Sequence, residues 1–383
     1  MKERIENVKL FTMEEDTGTI ACGYVEFEDG KITDLGRMNG NGENGWLFPG
    51  LIDAHTHLGL IGDALNFEGD DVNETGEPVT PQLRGLDGLN PLDRCFSDAR
   101  KGGVTAVMSG PGSANPIGGQ FLALKTAGIR VDNMVIREPA AMKFALGENP
   151  KGVYHGKNQL PETRMATAAL IRENLRKAQK YAQQLDAHND PDNEDAPDEP
   201  DFDAQCEALI PVIRGEEQAH FHAHRADDIF TAIRLAKEFS LDYVLIHCTE
   251  GHLIADELAK EGARAIVGPN LCDRSKPGLR NLDFSNPAKL DEAGVLVALT
   301  TDHTVTPVQY LPLCAALAVR HGMDFERAFR AVTVNPAKIL GLEDRIGSIR
   351  PGKDADFALF DGDPMDLRTR VAASWIDGRR IVG

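Results

Sequence analysis

The chain has 383 residues, 42% of them hydrophobic and 26% charged, enough for one large α/β domain with a smaller one beside it. Its formal net charge of −19 argues against a nucleic-acid or anionic-membrane partner, and no apolar run approaches the ~18 residues of a membrane span. The charged N-terminus lacks an apolar signal segment, and six scattered cysteines without a C-x-x-C pair fit free thiols, so a cytoplasmic location is expected.

Residues 1–47 alternate apolar and polar positions between Gly-rich turns ("VKLFTM", "ACGYVEFEDGKITDLG", "GWLF"), which predicts short antiparallel strands. The last forty residues ("GSIRPGKDADFALFDGDP", "AASWIDGRRIVG") read alike, so residues 1–48 and 341–383 are expected to pair into one small β-sandwich domain built from both termini. Residues 49–340 switch to strands alternating with helices. The first strand ends in "FPGLIDAHTHLGL", and a polar, Gly-rich segment at 61–90 follows it, long enough to be a lid or an interface arm. The strand at 105–110 leads into "SGPGSANPIGGQ" (109–120) and the apolar "FLALKTAG". That loop reads as a strand-to-helix turn, or as backbone N–H groups facing a substrate carboxylate near a helix N-terminus. Strands are predicted at 140–146, 219–224, 243–248, 264–269 and 295–302. Helices are predicted at 161–187, 226–239, 252–261, 286–293, 307–321 and 325–340. Strand then helix, repeated this often, predicts a parallel sheet closed as a (β/α)8 barrel. The stretch 186–203 holds nine Asp/Glu and no Lys or Arg; it lacks calcium-loop order and reads as a solvated surface loop.

Eight of the eleven histidines fall in four windows: His55 and His57; His220, His222 and His224; His247 with His252; and His303. All but His252 close a predicted strand, and in a parallel barrel those ends converge on the face that carries active sites. Singly, each window has a plainer reading as a polar turn or a hydrogen-bonded core histidine. Together they read as a metal site. Asp302, ending the apolar strand "VLVALTTD", needs a cation or several donors to offset its desolvation, unless it caps a helix. Imidazoles and a carboxylate suit zinc, with iron or manganese as alternatives.

These windows resemble the amidohydrolase superfamily along nearly the whole chain. "LFPGLIDAHTH" is similar to its first-strand motif and "GSIRPGKDADFALFDGDP" to its C-terminal return. "GGVTAVMSGPGSANPIGGQ", "HAHRADDI", "TTDHTV" and "NPAKILGLEDRIGSIRPGKDAD" look closest to the imidazolonepropionase and prolidase-like branch. The resemblance implies a barrel enzyme that uses one or two divalent metal ions to hydrolyse a C–N bond of a small amide or cyclic amide. Carried over position by position, His55 and His57 match the first-strand ligands, His247 the sixth-strand histidine and Asp302 the eighth-strand aspartate. His222 matches the fifth-strand ligand, with His224 as the alternative. The fourth-strand position of two-metal members, a lysine carboxylated by CO2, falls on Lys143; Glu148 could bridge instead, and with neither the site holds one ion. Asp302 is expected as general base, with His247 or His303 steadying the developing oxyanion. His224, Arg225, His252 and His303 are candidate substrate contacts, although Arg225 also reads as a salt bridge to Asp227 or Asp228. Two other readings are a heterocycle deaminase on the same scaffold and a non-catalytic assembly relative. "HAHRADD" lacks the glutamate deaminases place after the fifth-strand histidine, and a non-catalytic protein would be free to lose ligands that are all present here. Association into a homo-oligomer is left open by the sequence.

Overall fold

The computed structural model describes residues 2–63, 65–193 and 196–383. Strands β1 (Glu3–Phe11), β2 (Thr19–Glu28), β3 (Lys31–Arg37) and β4 (Trp46–Pro49) open the chain. Eight more follow: β5 (Leu51–Thr56), β6 (Val104–Ser109), β7 (Ile117–Lys125), β8 (Val135–Ala145), β9 (Gln218–Ala223), β10 (Tyr243–His247), β11 (Arg264–Val267) and β12 (Leu296–Leu299). The chain closes with β13 (Phe357–Phe360), β14 (Val371–Ile376) and β15 (Arg379–Val382). Strands from both termini form one seven-stranded sheet ordered β15-β14-β13-β4-β1-β2-β3. Its hinge is β4, parallel to β1 and antiparallel to β13. Alternate residues Val8, Leu10, Val25, Phe27, Phe357 and Trp375 bury a small core on one face.

The other eight strands run in chain order from β5 to β12 around a nearly closed barrel. The sheet was expected to be parallel throughout, but β7 is antiparallel to both β6 and β8. The expected helix "FLALKTAG" is therefore a strand. Its residues are buried on both faces, so the sequence shows a continuous apolar run whose period does not separate strand from helix. Met108, Phe121, Val244, Ile246, Ile266 and Ala298 fill the barrel interior, and Ile339 and Leu340 close its base.

No ladder joins β12 to β5. Instead, a turn lies between them: Leu299 N–H donates to Ala331 O (2.7 Å) and Ile52 N–H to Val332 O (2.8 Å). That turn also splits the helix expected over 325–340 into Phe325–Arg330 and Val334–Ile339, because two carbonyls a continuous helix would use internally serve the barrel instead. Asp53 ties the same seam. It accepts from Thr300 Oγ1 (2.7 Å), Thr301 N (3.0 Å) and Thr301 Oγ1 (2.5 Å), while burial lifts its pKa to about 6.

The remaining helices lie close to expectation: Ala226–Phe239, Asn286–Ala293, Leu311–Arg320, and Arg164–Asn189, which starts where Thr163 caps Ala166 N–H. The acidic stretch is partly paired, Asp186 with Arg214 and Asp203 with Lys177, each at 2.6 Å; its Glu194 and Asp195 lie outside the described residues. The segment at 61–90 lies along the start of β7 through bridges Val79–Ile117 and Arg84–Gln120. No helix among the described residues is long and apolar enough to cross a membrane.

At the end of β7, Lys125 is buried against the terminal sheet. Its ammonium contacts Asp354 (3.0 Å), Asp356 and Asp377 (3.3 Å), and Asp354 also receives Lys31 and Arg345. Burial opposes the Lys125 charge, but Asp356, Asp377 and Asp354 outweigh it and hold its pKa above the ordinary value.

Candidate metal centre

Each strand end delivers its side chain to the barrel mouth by a different local device. On β9 simple alternation suffices: Ala219, Phe221 and Ala223 pack into the outer core, while His220, His222 and His224 turn inward. On β8 the same alternation buries Lys143 completely. On β5 the interior positions are Ile52 and Ala54, of opposite parity to His55. The β5–β6 pairing sets Asp53 opposite Val107 but Thr56 opposite Ser109, an extra residue on β5 that turns His55 and His57 inward. At the end of β10, His247 breaks parity with φ = 75°, and Asp302 beyond β12 sits at φ = 49°. Both are left-handed conformations that a non-glycine residue holds only under constraint from its surroundings.

Two groups of ligand-type atoms result. His55, His57 and Asp302 form one; His222, His224 and His247 the other; within each, the atoms lie within 4.8 Å of one another. Asp302 Oδ1 is 3.3 Å from His57 Nε2 and 3.6 Å from His55 Nε2. Lys143 Nζ lies 3.2 Å from His55 Nε2. The far nitrogens of four rings are anchored: His57 Nδ1 on Gly110 O (2.7 Å), His222 Nδ1 on Ser113 Oγ (2.8 Å), His224 Nδ1 on Thr249 Oγ1 (2.8 Å) and His247 Nδ1 on Gly268 O (2.6 Å). Two atoms aimed into the mouth, His222 Nε2 and His224 Nε2, are buried without a protein partner. Buried polar atoms are seldom left so, and anchored Nδ1 with converging Nε2 is the arrangement of metal-bound imidazoles. The residues present fit a divalent ion.

The electrostatics agree. Burial, then neighbouring cations, holds His55, His222 and His224 well below the ordinary histidine pKa, and burial pulls His247 down to about 4. At neutral pH these rings are neutral, the form that binds metal. Burial also lowers Lys143 to about 7. Around Asp302, burial opposes ionisation, but His247, the hydrogen bond with His57 and the charge of Lys143 outweigh it, and its pKa falls below the ordinary value.

Other predicted residues lie elsewhere. Arg225 is held in a two-pronged pair with Asp227 (2.9 and 2.8 Å) rather than pointing a free guanidinium into the mouth. His252 lines a surface depression with Glu257, Lys289 and Glu292, apart from both groups. Glu148 accepts from Gly278 N–H (3.1 Å) and belongs to neither group. His303 sits beside Asp302, its Nδ1 accepting from Val308 N–H (3.2 Å). The loop 109–120 leads into a strand, not a helix, and contributes Ser113 to His222. His220 lies deeper, on Gln218 Oε1 (3.2 Å), with burial lowering its pKa to about 3.

The profile of the amidohydrolase family matches residues 46–381. The chain belongs to the amidohydrolase family. A solved amidohydrolase from Thermotoga maritima superposes on this one with a TM-score of 0.93 and 40% identity, covering 99% of each chain. An amidohydrolase from Hapsidospora irregularis is 29% identical over 354 residues, 87% of this chain but 36% of that protein, so the chain spans about a third of that relative's length. An imidazolonepropionase from Sphingopyxis alaskensis is 26% identical over 422 residues, covering 97% of this amidohydrolase and 94% of the relative. Family and relatives together indicate a hydrolase acting on carbon–nitrogen bonds and support the imidazolonepropionase-like resemblance of its motifs.

Proposed function

We propose that this amidohydrolase cleaves a C–N bond of a small amide or cyclic amide with water activated between its two ligand groups. The observation that carries the reading is the convergence of His222 Nε2 and His224 Nε2, buried and unpartnered, while the opposite nitrogens are tied back. His55, His57 and Asp302 would hold one divalent ion and His222, His224 and His247 a second, with Lys143 between the groups. Zinc suits the donor set, and when bound such an ion supplies Lewis acidity that polarises the scissile carbonyl and lowers the pKa of water.

The chain's own groups do the rest. Lys143, at a pKa of about 7, is partly neutral at physiological pH. With CO2 the neutral amine would form a carbamate, releasing one proton to solvent, and would add a carboxylate-type ligand to the histidines and Asp302. Asp302 stays ionised and takes the proton from the attacking water, then passes it to the leaving nitrogen. His303 accepts at Nδ1, so its neutral ring carries the proton on Nε2 and offers a donor beside the base.

Elemental analysis of protein purified without chelators or added metal tests this directly. Close to two ions per chain supports both groups; close to one restricts the chemistry to a single-ion site. No metal, even after incubation with zinc, would overturn the reading.

A further inference from the structure

Glu250 is a buried carboxylate, on the turn after β10, that the mechanism above does not use. It belongs to neither ligand group, yet three of its contacts converge on one ligand, His224. Its own N–H donates to His224 O (2.9 Å). Its Oε2 accepts from Ala226 N–H (2.9 Å), just past His224 in the chain. Its Oε1 accepts from Asn281 Nδ2 (2.8 Å) on the loop after β11, with the Arg280 guanidinium farther off at 3.6 Å.

The Ala226 bond replaces something the local sequence lacks. The helix Ala226–Phe239 has Arg225 at its N-cap position, and an arginine, having only donors, caps nothing. The first N–H groups of a helix need acceptors, and an anion there also meets the positive end of the helix dipole. Glu250 supplies both from a different strand's turn. The Asn281 bond acts from the other side. Its loop packs directly on the ligand, since a Cβ at Gly278 would come within 2.9 Å of His224 Cβ. Glu148 Oε1 holds the same loop at Gly278 N–H (3.1 Å). One residue thus fixes His224 at its carbonyl, at the helix that follows it and at the loop that covers it.

We propose that Glu250 is a positioning residue for the second ion: it sets the aim of His224 Nε2, and so the affinity of the His222, His224 and His247 group, without being a ligand. The inference rests on the functional reading above, through that second ion. Partners that orient a ligand in this way are worth about 10–100-fold in metal affinity. The His55, His57 and Asp302 group is secured elsewhere, by Asp53 across the seam between β5 and β12, so its ion serves as an internal control.

The test titrates zinc alone into the metal-free full chain against a chromophoric chelator, and anomalous diffraction shows which group each ion occupies. Wild type should take up two ions. E250A should bind the ion of the second group at least about 30-fold more weakly, with the other ion within about threefold of wild type. E250Q should stay within about threefold for both: its amide oxygen still accepts from Ala226, and Asn281 can turn its amide over to meet the new NH2. N281A frees only the covering loop; it should weaken the same ion about fivefold, and it carries the test if E250A does not fold. Equal weakening of both ions, or of neither, would overturn the positioning role alone, as would an E250Q that falls as far as E250A, because charge rather than aim would then matter. A wild type that takes up no zinc would overturn the functional reading, and this inference with it.

Discussion

The hairpin of β7 and β8 carries two buried lysines whose surroundings make them opposites. Lys125, at the terminal-sheet end, sits among Asp354, Asp356 and Asp377 and keeps its charge more firmly than a lysine in water. Lys143, at the mouth end, meets an imidazole nitrogen and, among the described residues, no carboxylate within 4.0 Å, and its pKa falls to about 7. Burial is the same penalty in both places. What differs is compensation: three carboxylates hold the charge on Lys125, and their absence leaves Lys143 far easier to neutralise.

The contrast can be broken in a definite order. K143M should lower kcat by about 10⁴-fold or more and reduce metal content, with little loss of thermal stability, since an apolar side chain suits that buried position. An active, fully loaded K143M would make the two lysines equivalent after all. D302N, at the carboxylate that faces Lys143 across the centre, should cost about 10³-fold in kcat while retaining most of the metal; near-normal turnover would remove Asp302 as base. K125M should do the reverse of K143M. Asp356 and Asp377 left without their cation, while Asp354 keeps Lys31 and Arg345, are expected to cost about 3 kcal/mol in a denaturant titration, with turnover per folded molecule little changed.

The smallest effect concerns a third buried group, Glu217, just before β9. Both its oxygens lack partners and burial raises its pKa to about 8. Because the folded pKa lies above the unfolded one, its contribution is fully present below about pH 4.5 and fades as pH rises through about 8. The melting temperature of wild type should therefore fall more steeply between pH 5.5 and 8.5 than that of E217Q. Parallel profiles would show that Glu217 ionises as freely folded as unfolded.

What could be read from the sequence follows the regularity of the backbone. β9 alternates without interruption, so "AHFHAH" announced its own geometry; so did the helices Ala226–Phe239 and Asn286–Ala293, with clean periodicity. β7 did not, because burial on both faces erases the alternation that marks a strand. The inward turn of His55 depends on an extra residue in β5, and that of His247 on a left-handed backbone, neither of which a pattern of apolar and polar letters displays. Lys143 was legible only through resemblance, since nothing in the spacing of its strand marks a lysine there as part of the centre.

The order of synthesis gives β4 a particular exposure. It leaves the ribosome with β1 as its one sheet partner, and β13, which completes its other edge, follows on the order of 300 residues later. At roughly 5–20 residues per second that interval is tens of seconds. Throughout it, Trp46, Leu47 and Phe48 present an open apolar strand edge, the kind of template on which nascent chains cross-pair. Until β13 arrives that edge has only β1 to hold it, so slow elongation between the two strands lengthens its exposure.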